Sequence, residues 1–568
     1  MLTPFISLTC DFRYLTTASQ QNTVQETSHD LGSDNSTPEF ERGGGATGLG
    51  NVVTEQLYGY RQLDQPPRSE KKIDVFRRYV DAIGKELASL SEEEFVKLSG
   101  VEGAIKNSPI TPTAVSNDVL AELGIATHVS GKASTVQQQQ QSQERTNIVP
   151  LKLKQAPKQT IQPEGTGREI MLQGFNWESW KNNWYKTLES QVDAIAQAGF
   201  TVVWLPPPTD SVSPQGYMPR DLYSLDSKYG SEKDLKALIQ RFQSKGVKVL
   251  GDAVLNHRCA SEQDEVGIWN KYGGKLAWDA QAIVGDDKTF RGRGNRSSGD
   301  SFGAAPNIDH SQEFVKRDLS DWLVWLRTNI GFDGWRLDFV KGFHGSHVKD
   351  YMEASQPTFA VGEFWDTMNY EWDGSPCHNQ DAHRQRIVDW INAAGGLSTA
   401  FDITTKGILH AVFERCEYWR LRDASGKPPG LIGWWPSRAC TFVENHDTGS
   451  SQGHWRFPGH ALEQGYAYIL THPGTPCVMY DHMFHDGHIS HVVQRLVALR
   501  QRLGIHCRSA VKILAATHDV YAAEIDDKLV VKLGPGDFAP NLEHWQIADC
   551  GQAWAVWEKK GGDESEQD

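Results

Sequence analysis

Three acidic residues each follow a short apolar run. Asp338 closes Gly334-Trp335-Arg336-Leu337, Glu363 follows Phe359-Ala360-Val361-Gly362, and Asp447 stands shortly beyond Phe442-Val443, after the polar Glu444-Asn445-His446. A fourth run ends in Asp252-Ala253-Val254-Leu255-Asn256-His257. Carboxylates gathered in one cleft raise one another's pKa, whereas a paired cation lowers it. Arg336 and Asp338 stand two apart, so on a strand they share one face, and the guanidinium is expected to keep Asp338 ionised as a nucleophile requires. Glu363, beside two other carboxylates, is expected to hold its proton and serve as a general acid. One ionised and one protonated carboxyl group form the pair that glycosidic-bond cleavage needs. Any one of these residues alone reads as a charge paired at a strand end. As a set they read as a reactive site.

From Glu169 onward the chain alternates short apolar runs with amphipathic helices, which indicates βα units and a parallel sheet. Strands are predicted over 170–175, 201–205, 247–255, 334–339, 359–364, 399–402, 440–444 and 477–480. Eight such runs predict an α/β protein built on a closed (β/α)8 TIM barrel, in which polar residues at the C-terminal ends of the strands form the active site. The barrel is expected over 169–256 and 311–505. A Gly-rich loop domain, 257–310, is inserted after the third strand, and a C-terminal antiparallel β-sheet domain follows over 506–560, with a short tail at 561–568.

The chain has 568 residues, with 57 Lys+Arg against 72 Asp+Glu and a formal net charge of −15. That balance argues against a general nucleic-acid binder. No apolar run reaches the ~18 residues of a membrane span, so no membrane partner is expected. The eight cysteines are dispersed without a C-x-x-C pair, which signals neither a disulfide framework nor a zinc ribbon and points to a reducing compartment. All 19 tryptophans lie from Trp177 onward. Residues 1–70 are rich in Ser, Thr, Gln, Asn and Gly and lack periodicity; they are expected to be disordered or to carry a targeting signal. The opening MLTPFISLTC has no basic n-region, so plastid or cytoplasm is expected over secretion. Over 71–125, Phe76, Tyr79, Val80, Ile83, Leu87 and Leu90 recur at helical spacing and Ser91 with Glu94 forms a capping box, predicting a small helical module. Residues 126–168, with the glutamine tract at 137–141, read as a linker.

Along these residues the chain from about Glu169 to Lys559 resembles a plant-type α-amylase of glycoside hydrolase family thirteen. The four strand-end motifs quoted above match those of the family in order. QGFNWESW (173–180), GYMPRDLY (216–223), IGWWP (432–436) and AVWEK (555–559) resemble the plant and green-algal branch. The resemblance implies endo-acting, retaining hydrolysis of internal α-1,4-glucosidic bonds in starch and related α-glucans by a monomer. It implies that Asp338 forms a covalent glycosyl-enzyme, that Glu363 protonates the leaving oxygen and later activates water, and that Asp447 stabilises the transition state. Arg336 would hold Asp338, His257 and His446 would hydrogen-bond the central sugar, Tyr217 would stack beneath it, and Lys341 would contact the next sugar on the leaving-group side. A structural Ca2+ is also implied, held by Asn256, Asn307 and the carbonyl of Gly342. The plant pattern has Asp where this chain has Asn307, which keeps an oxygen donor but removes a charge. Further calcium sites are not expected, because residues 271–278 (KYGGKLAW) lack the acids that would form them. A transglycosylase of the same family and a catalytically silent glucan-binding protein remain as alternatives, the latter signalled by loss of one of the three carboxylates.

Trp434-Trp435 matches a pair that in the family binds starch granules, since adjacent exposed aromatics can stack on successive glucose rings. The plain alternative places one of the two in the core. Tyr521 resembles a second such site. His482, His485, His488 and His491 recur every three residues like metal ligands. That spacing does not keep four side chains on one helix face, so a chance cluster is expected. Arg291 to Arg296 (RGRGNR) resembles an RNA-binding patch but lies within the insertion and is read as a solvated loop.

Overall fold

The computed structural model describes residues 164–561. The helical module expected over 71–125, the segments flanking it as far as residue 163, and the tail from 562 lie outside the described residues. Eight strands close a parallel barrel, and they are buried along nearly their whole length because helices cover the outside and side chains fill the inside. In chain order the first half comprises β1 (Met171–Gln173), α1 (Trp184–Gln197), β2 (Val202–Leu205), α2 (Glu232–Gln243) and β3 (Lys248–Ala253). The helices turn one stripe inward: α1 buries Trp184, Tyr185, Leu188, Val192 and Ile195 at helical spacing. Ser231 caps α2 by accepting from the Asp234 N–H at 3.2 Å.

The insertion follows β3 and carries a small hairpin, β4 (Glu262–Gln263) with β5 (Trp269–Lys271). Arg258 organises it from inside. Its guanidinium donates to the carbonyls of Arg220, Leu276 and Gly273 and lies 4.9 Å from the ring centroids of both Tyr272 and Trp278. The barrel resumes with α3 (Glu313–Trp325), β6 (Gly334–Leu337), α4 (Gly345–Ser355), β7 (Ala360–Gly362), α5 (Asp381–Ala393), β8 (Thr399–Phe401), α6 (Ile403–Arg415), α7 (Leu431–Trp434), β9 (Ala439–Phe442), α8 (Leu462–Thr471) and β10 (Thr475–Met479). After α9 (Tyr480–Phe484) and α10 (Gly487–Arg502), β10 having paired with β1, the ring is complete.

The C-terminal sheet consists of β11 (Val511–Ala516), β12 (Tyr521–Ile525), β13 (Leu529–Leu533), β14 (Trp545–Gly551) and β15 (Trp554–Lys559), antiparallel in the order β11-β12-β13-β15-β14. It docks on α8 through polar contacts: Trp554 Nε1 donates to Glu463 at 2.7 Å and the Gly534 N–H to Gln464 at 3.1 Å. The seven cysteines among the described residues are free thiols.

Several strands stop sooner than their apolar runs suggest. β3 ends at Ala253, β6 at Leu337 and β7 at Gly362, so Asp338 and Glu363 are each the first residue beyond a strand. Asp252 and Arg336 are register neighbours across β3 and β6. Thus the barrel delivers Asp252 and Arg336 at one level and the two carboxyl groups one step above, at the C-terminal mouth.

Candidate active site

Arg336 is the hub of that mouth and is fully buried. Its Nη1 lies 2.6 Å from Asp338 Oδ1 and 3.0 Å from Asp252 Oδ1, and its Nη2 lies 2.6 Å from Glu363 Oε1, off the line of a hydrogen bond. Sequence reasoning assigned the guanidinium to Asp338 alone; it grips three carboxyl groups. Asp252 had no assigned role. It accepts from Trp204 Nε1 at 3.0 Å, the Tyr217 hydroxyl at 2.9 Å and Arg336, three donors around one buried carboxylate.

Backbone bonds continue the barrel ladder past the strand ends and hold the two carboxyl-bearing residues in place. The Asp338 N–H donates to the Ala253 carbonyl at 3.1 Å and the Glu363 N–H to the Leu337 carbonyl at 2.9 Å. Between them Phe339 is held at φ 42°, a left-handed conformation that costs ~1–3 kcal/mol for a bulky residue and is typical of functional sites. The strained turn aims the Phe339 N–H at Glu363 Oε2, 3.3 Å away. Burial pushes the Glu363 carboxyl up, Arg336 pulls it back, and Asp338 and Asp447 push it up again, to about 8. The direction matches the reading of the residues, but burial is the first cause, ahead of the neighbouring charges.

Tyr217, His446 and Trp177 form three near-parallel rings at the mouth. Tyr217 lies 5.1 Å from His446 at 2° and 6.1 Å from Trp177 at 7°. Trp177 was legible only as part of a motif. His446 Nδ1 accepts from Gln173 Nε2 at 3.2 Å, and its Nε2 lies 3.4 Å from Asp447 Oδ2; burial holds the imidazole well below its ordinary value, hence neutral. His257 is placed less openly than expected for a sugar contact. Its Nε2 meets the Tyr217 carbonyl at 2.8 Å and Phe302 stacks on it at 3.9 Å, so it braces Tyr217 from the insertion side. Lys341 bridges Asp366 at 2.7 Å and Asp300 at 2.9 Å, tying the barrel mouth to the insertion.

The three residues expected around a cation do meet. Asn256 Nδ2 lies 3.4 Å from Asn307 Oδ1, and a Cβ on Gly342 would stand 2.0 Å from Asn256 Oδ1, so only glycine fits there. Asn307 also accepts from the Phe302 N–H at 2.8 Å and donates to Asp287 at 3.0 Å. Asp287 was not singled out from the sequence; it brings a carboxylate next to Asn307. Among the described residues no group of three or more His, Cys, Asp or Glu side chains is arranged to hold a metal ion.

Elsewhere the outcomes differ. Trp434 is 40% exposed with the Arg384 guanidinium 3.7 Å from its ring centroid, whereas Trp435 packs partly on the core. Tyr521 is not a surface residue: it is fully buried, with its hydroxyl 2.9 Å from His472 Nε2, because β12 lies against α8. The four spaced histidines take separate partners. His482 pairs with Glu444, His485 with Asp481 and His488 with Glu463, while His491 bonds the Gly487 carbonyl.

The α-amylase catalytic-domain family model matches residues 185–271, and the α-amylase C-terminal β-sheet domain model matches 502–558. Alpha-amylase 3, chloroplastic, of Arabidopsis thaliana is 59% identical over 397 residues, which are 69% of this chain and 44% of that protein. The chain therefore spans less than half the length of that relative. Probable alpha-amylase 2 of the same plant is 49% identical over 395 residues, 69% of this chain and 94% of its own length. Among solved structures, an alpha-amylase from Malbranchea cinnamomea aligns over 70% of this chain and 97% of its own with a TM-score of 0.52; at 16% identity this speaks for the fold alone. A barrel mouth of this composition, a matching C-terminal sheet and near-full-length similarity to a plant relative lead to one conclusion: the chain belongs to the plant-type α-amylase family.

Proposed function

We propose that the protein is an endo-acting, retaining α-amylase that hydrolyses internal α-1,4-glucosidic bonds of starch and related α-glucans. The observation that carries this reading is the single guanidinium of Arg336 gripping Asp338 and Glu363 through adjacent nitrogens while burial keeps the glutamic acid protonated. Two carboxyl groups held by one small planar group favour the short separation, ~5–5.5 Å, of retaining enzymes over the ~6.5–9.5 Å that leaves room for a water between them. Asp338 attacks the anomeric carbon as Glu363 gives its proton to the glycosidic oxygen; the carbon–oxygen bond breaks and the reducing-side glucan departs. Water then attacks the same carbon, Glu363 takes its proton, and Asp338 is released. Asp447, beside neutral His446, binds sugar hydroxyls and stabilises the positive charge that develops on the ring. Tyr217 supplies a stacking face, and Lys341 contacts the next sugar.

The Asn256 and Asn307 amide oxygens and the Gly342 carbonyl would supply the oxygen donors that a hard cation requires, with the Asp287 carboxylate alongside and His257 Nδ1 3.3 Å from Asn256 Nδ2. Ca2+ held there would brace the insertion against the barrel, with Asp287 offsetting the charge that Asn307 lacks. Trp434, exposed at the end of α7, is proposed as part of a granule-binding surface. A plastid location is supported by the Arabidopsis relative described as chloroplastic; a reporter fused to residues 1–70 tests it.

The decisive experiment incubates the protein with maltoheptaose and soluble starch. Release of reducing ends in the α-configuration, lost in Glu363→Gln with glucan binding retained, supports the reading. Products longer than the starting oligosaccharide would make it a transferase, and no release at all, with calcium supplied, would leave a silent binding protein.

A further inference from the structure

Lys406 is completely buried at the start of α6, a position where an ammonium is costly unless it is paired. Asp402 caps this helix by accepting from the Thr405 N–H at 2.8 Å, which fixes the first turn and the direction of the lysine stem. Burial lowers the Lys406 pKa to about 7, and the amine donates to two main-chain carbonyls, Val443 at 3.0 Å and Trp455 at 3.2 Å. It also lies 4.7, 5.6 and 5.9 Å from the ring centroids of Trp455, Phe457 and Phe442. No carboxylate lies within ion-pair distance of it among the described contacts; Glu444 and Glu414 act on it from further away.

The two carbonyls are the ends of one loop. Residues 443–457 leave β9, carry Asn445, His446 and Asp447 over the mouth, and return to α8. Inside the loop, Asn445 Oδ1 accepts from the N–H groups of Asp447 and Thr448, each at 3.0 Å, and the His454 N–H donates to the Asp447 carbonyl at 3.2 Å. The returning end is held by two further groups. His410 Nε2 meets the Trp455 carbonyl at 3.3 Å, and Glu444, paired with His482 at 3.2 Å, accepts from the Phe457 N–H. Trp455 in turn lies edge-on to Trp365, two residues beyond Glu363, at 6.2 Å. One buried amine thus joins the two ends of the loop, alongside the Glu444 carboxyl group that reaches from the outgoing end to the Phe457 N–H, and closing the loop in advance removes conformational freedom before substrate arrives.

We propose that Lys406 is a positioning residue for Asp447, clipping both ends of the loop so that this carboxylate is held beside the Asp338–Arg336–Glu363 cluster. The proposal rests on the role given above to Asp447. Lys406 itself touches no substrate.

Lys406→Met keeps the length and apolar stem and removes the donors. Assayed on maltoheptaose well below its unfolding temperature, and normalised to folded protein, it is expected to lose ~10- to 100-fold in kcat with KM changed less than ~3-fold. Because Asp447 helps to raise the Glu363 carboxyl, a displaced Asp447 also moves the alkaline limb of the pH–rate profile to lower pH. Lys406→Arg, which keeps several donors, is expected to recover part of kcat. In an Asp447→Asn background, assayed with an aryl maltotrioside, Lys406→Met is expected to cost nothing further, since the two act as one unit. Unchanged kcat and an unmoved alkaline limb would overturn the proposal, as would full additivity with Asp447→Asn. Should Lys406→Met fail to fold, Lys406→Gln, which keeps one donor, decides by the same three readouts. Near-normal activity of Asp447→Asn alone would instead refute the role of Asp447 on which the proposal depends.

Discussion

Replacing Glu363 with Gln should raise stability at neutral pH while abolishing turnover. Gln is close in shape to the protonated carboxyl group, and its one acceptor oxygen keeps either Arg336 Nη2 or the Phe339 N–H while its NH2 faces the other, a loss that does not vary with pH. The Glu363 carboxyl titrates at about 8 in the folded protein, up from the ordinary 4.5. Because the folded value is the higher one, its contribution to stability is complete below pH 4.5 and is lost as the pH rises toward 8, the unfolded chain ionising first. Across that window the wild type loses ~1.4 kcal/mol per pH unit, which amounts to ~3 kcal/mol by pH 7. Gln does not titrate and escapes the loss. In a domain of this size ~3 kcal/mol corresponds to a Tm gain of ~3–6 °C, present at pH 7 and absent near pH 4.5. Thermal unfolding of both proteins from pH 4.5 to 8.5, at fixed calcium, measures it, and the wild-type kcat/KM should fall above pH ~8 as the acid ionises. A Tm difference that is flat with pH would show Glu363 ionised in the folded protein. The general-acid assignment would then fail.

Tyr217→Phe keeps the ring stack but removes a donor to buried Asp252, so urea unfolding should show a loss of ~1.5–3 kcal/mol and kcat/KM on maltoheptaose should fall, with circular dichroism unchanged. Trp434→Ala should weaken adsorption to starch granules several-fold while leaving kcat on soluble maltooligosaccharides unaltered, as read by a granule pull-down and a reducing-end assay. Chelation of calcium should lower Tm. Asn307→Asp, which restores a charged oxygen donor, should tighten calcium binding at least ~10-fold by titration calorimetry.

The barrel was legible because strands covered on both faces must be apolar along their length, and all eight runs marked in the sequence are strands. The reactive carboxyl groups were legible for a related reason: a charged residue just after such a run can only sit at the mouth. What stayed hidden depends on register and packing between distant segments. Tyr521 reads as an exposed aromatic until α8 covers it, and the insertion's dependence on Arg258 involves carbonyls up to 38 positions away. Lys406 carries no local sign of being buried, because nothing near it in sequence says that Val443 and Trp455 will meet above it.

Protonation is the part of the site that spacing could suggest but only hydrogen-bond accounting decides. One buried guanidinium faces three carboxyl groups, so full ionisation would leave a net negative charge in a dry pocket, which is costly. The proton goes where it disturbs fewest donors. Asp252 accepts from an indole, a phenol and Arg336, and Asp338 receives the guanidinium in line at 2.6 Å. Glu363 has only an off-line contact with Nη2 and one backbone N–H at 3.3 Å, and Asp447 adds its own charge nearby. Burial raises both Asp252, to about 7, and Glu363, to about 8, and the poorer donor set of Glu363 leaves the proton there. The arrangement that makes it a poor anion is the one that makes it an acid at the pH where Asp338 must attack.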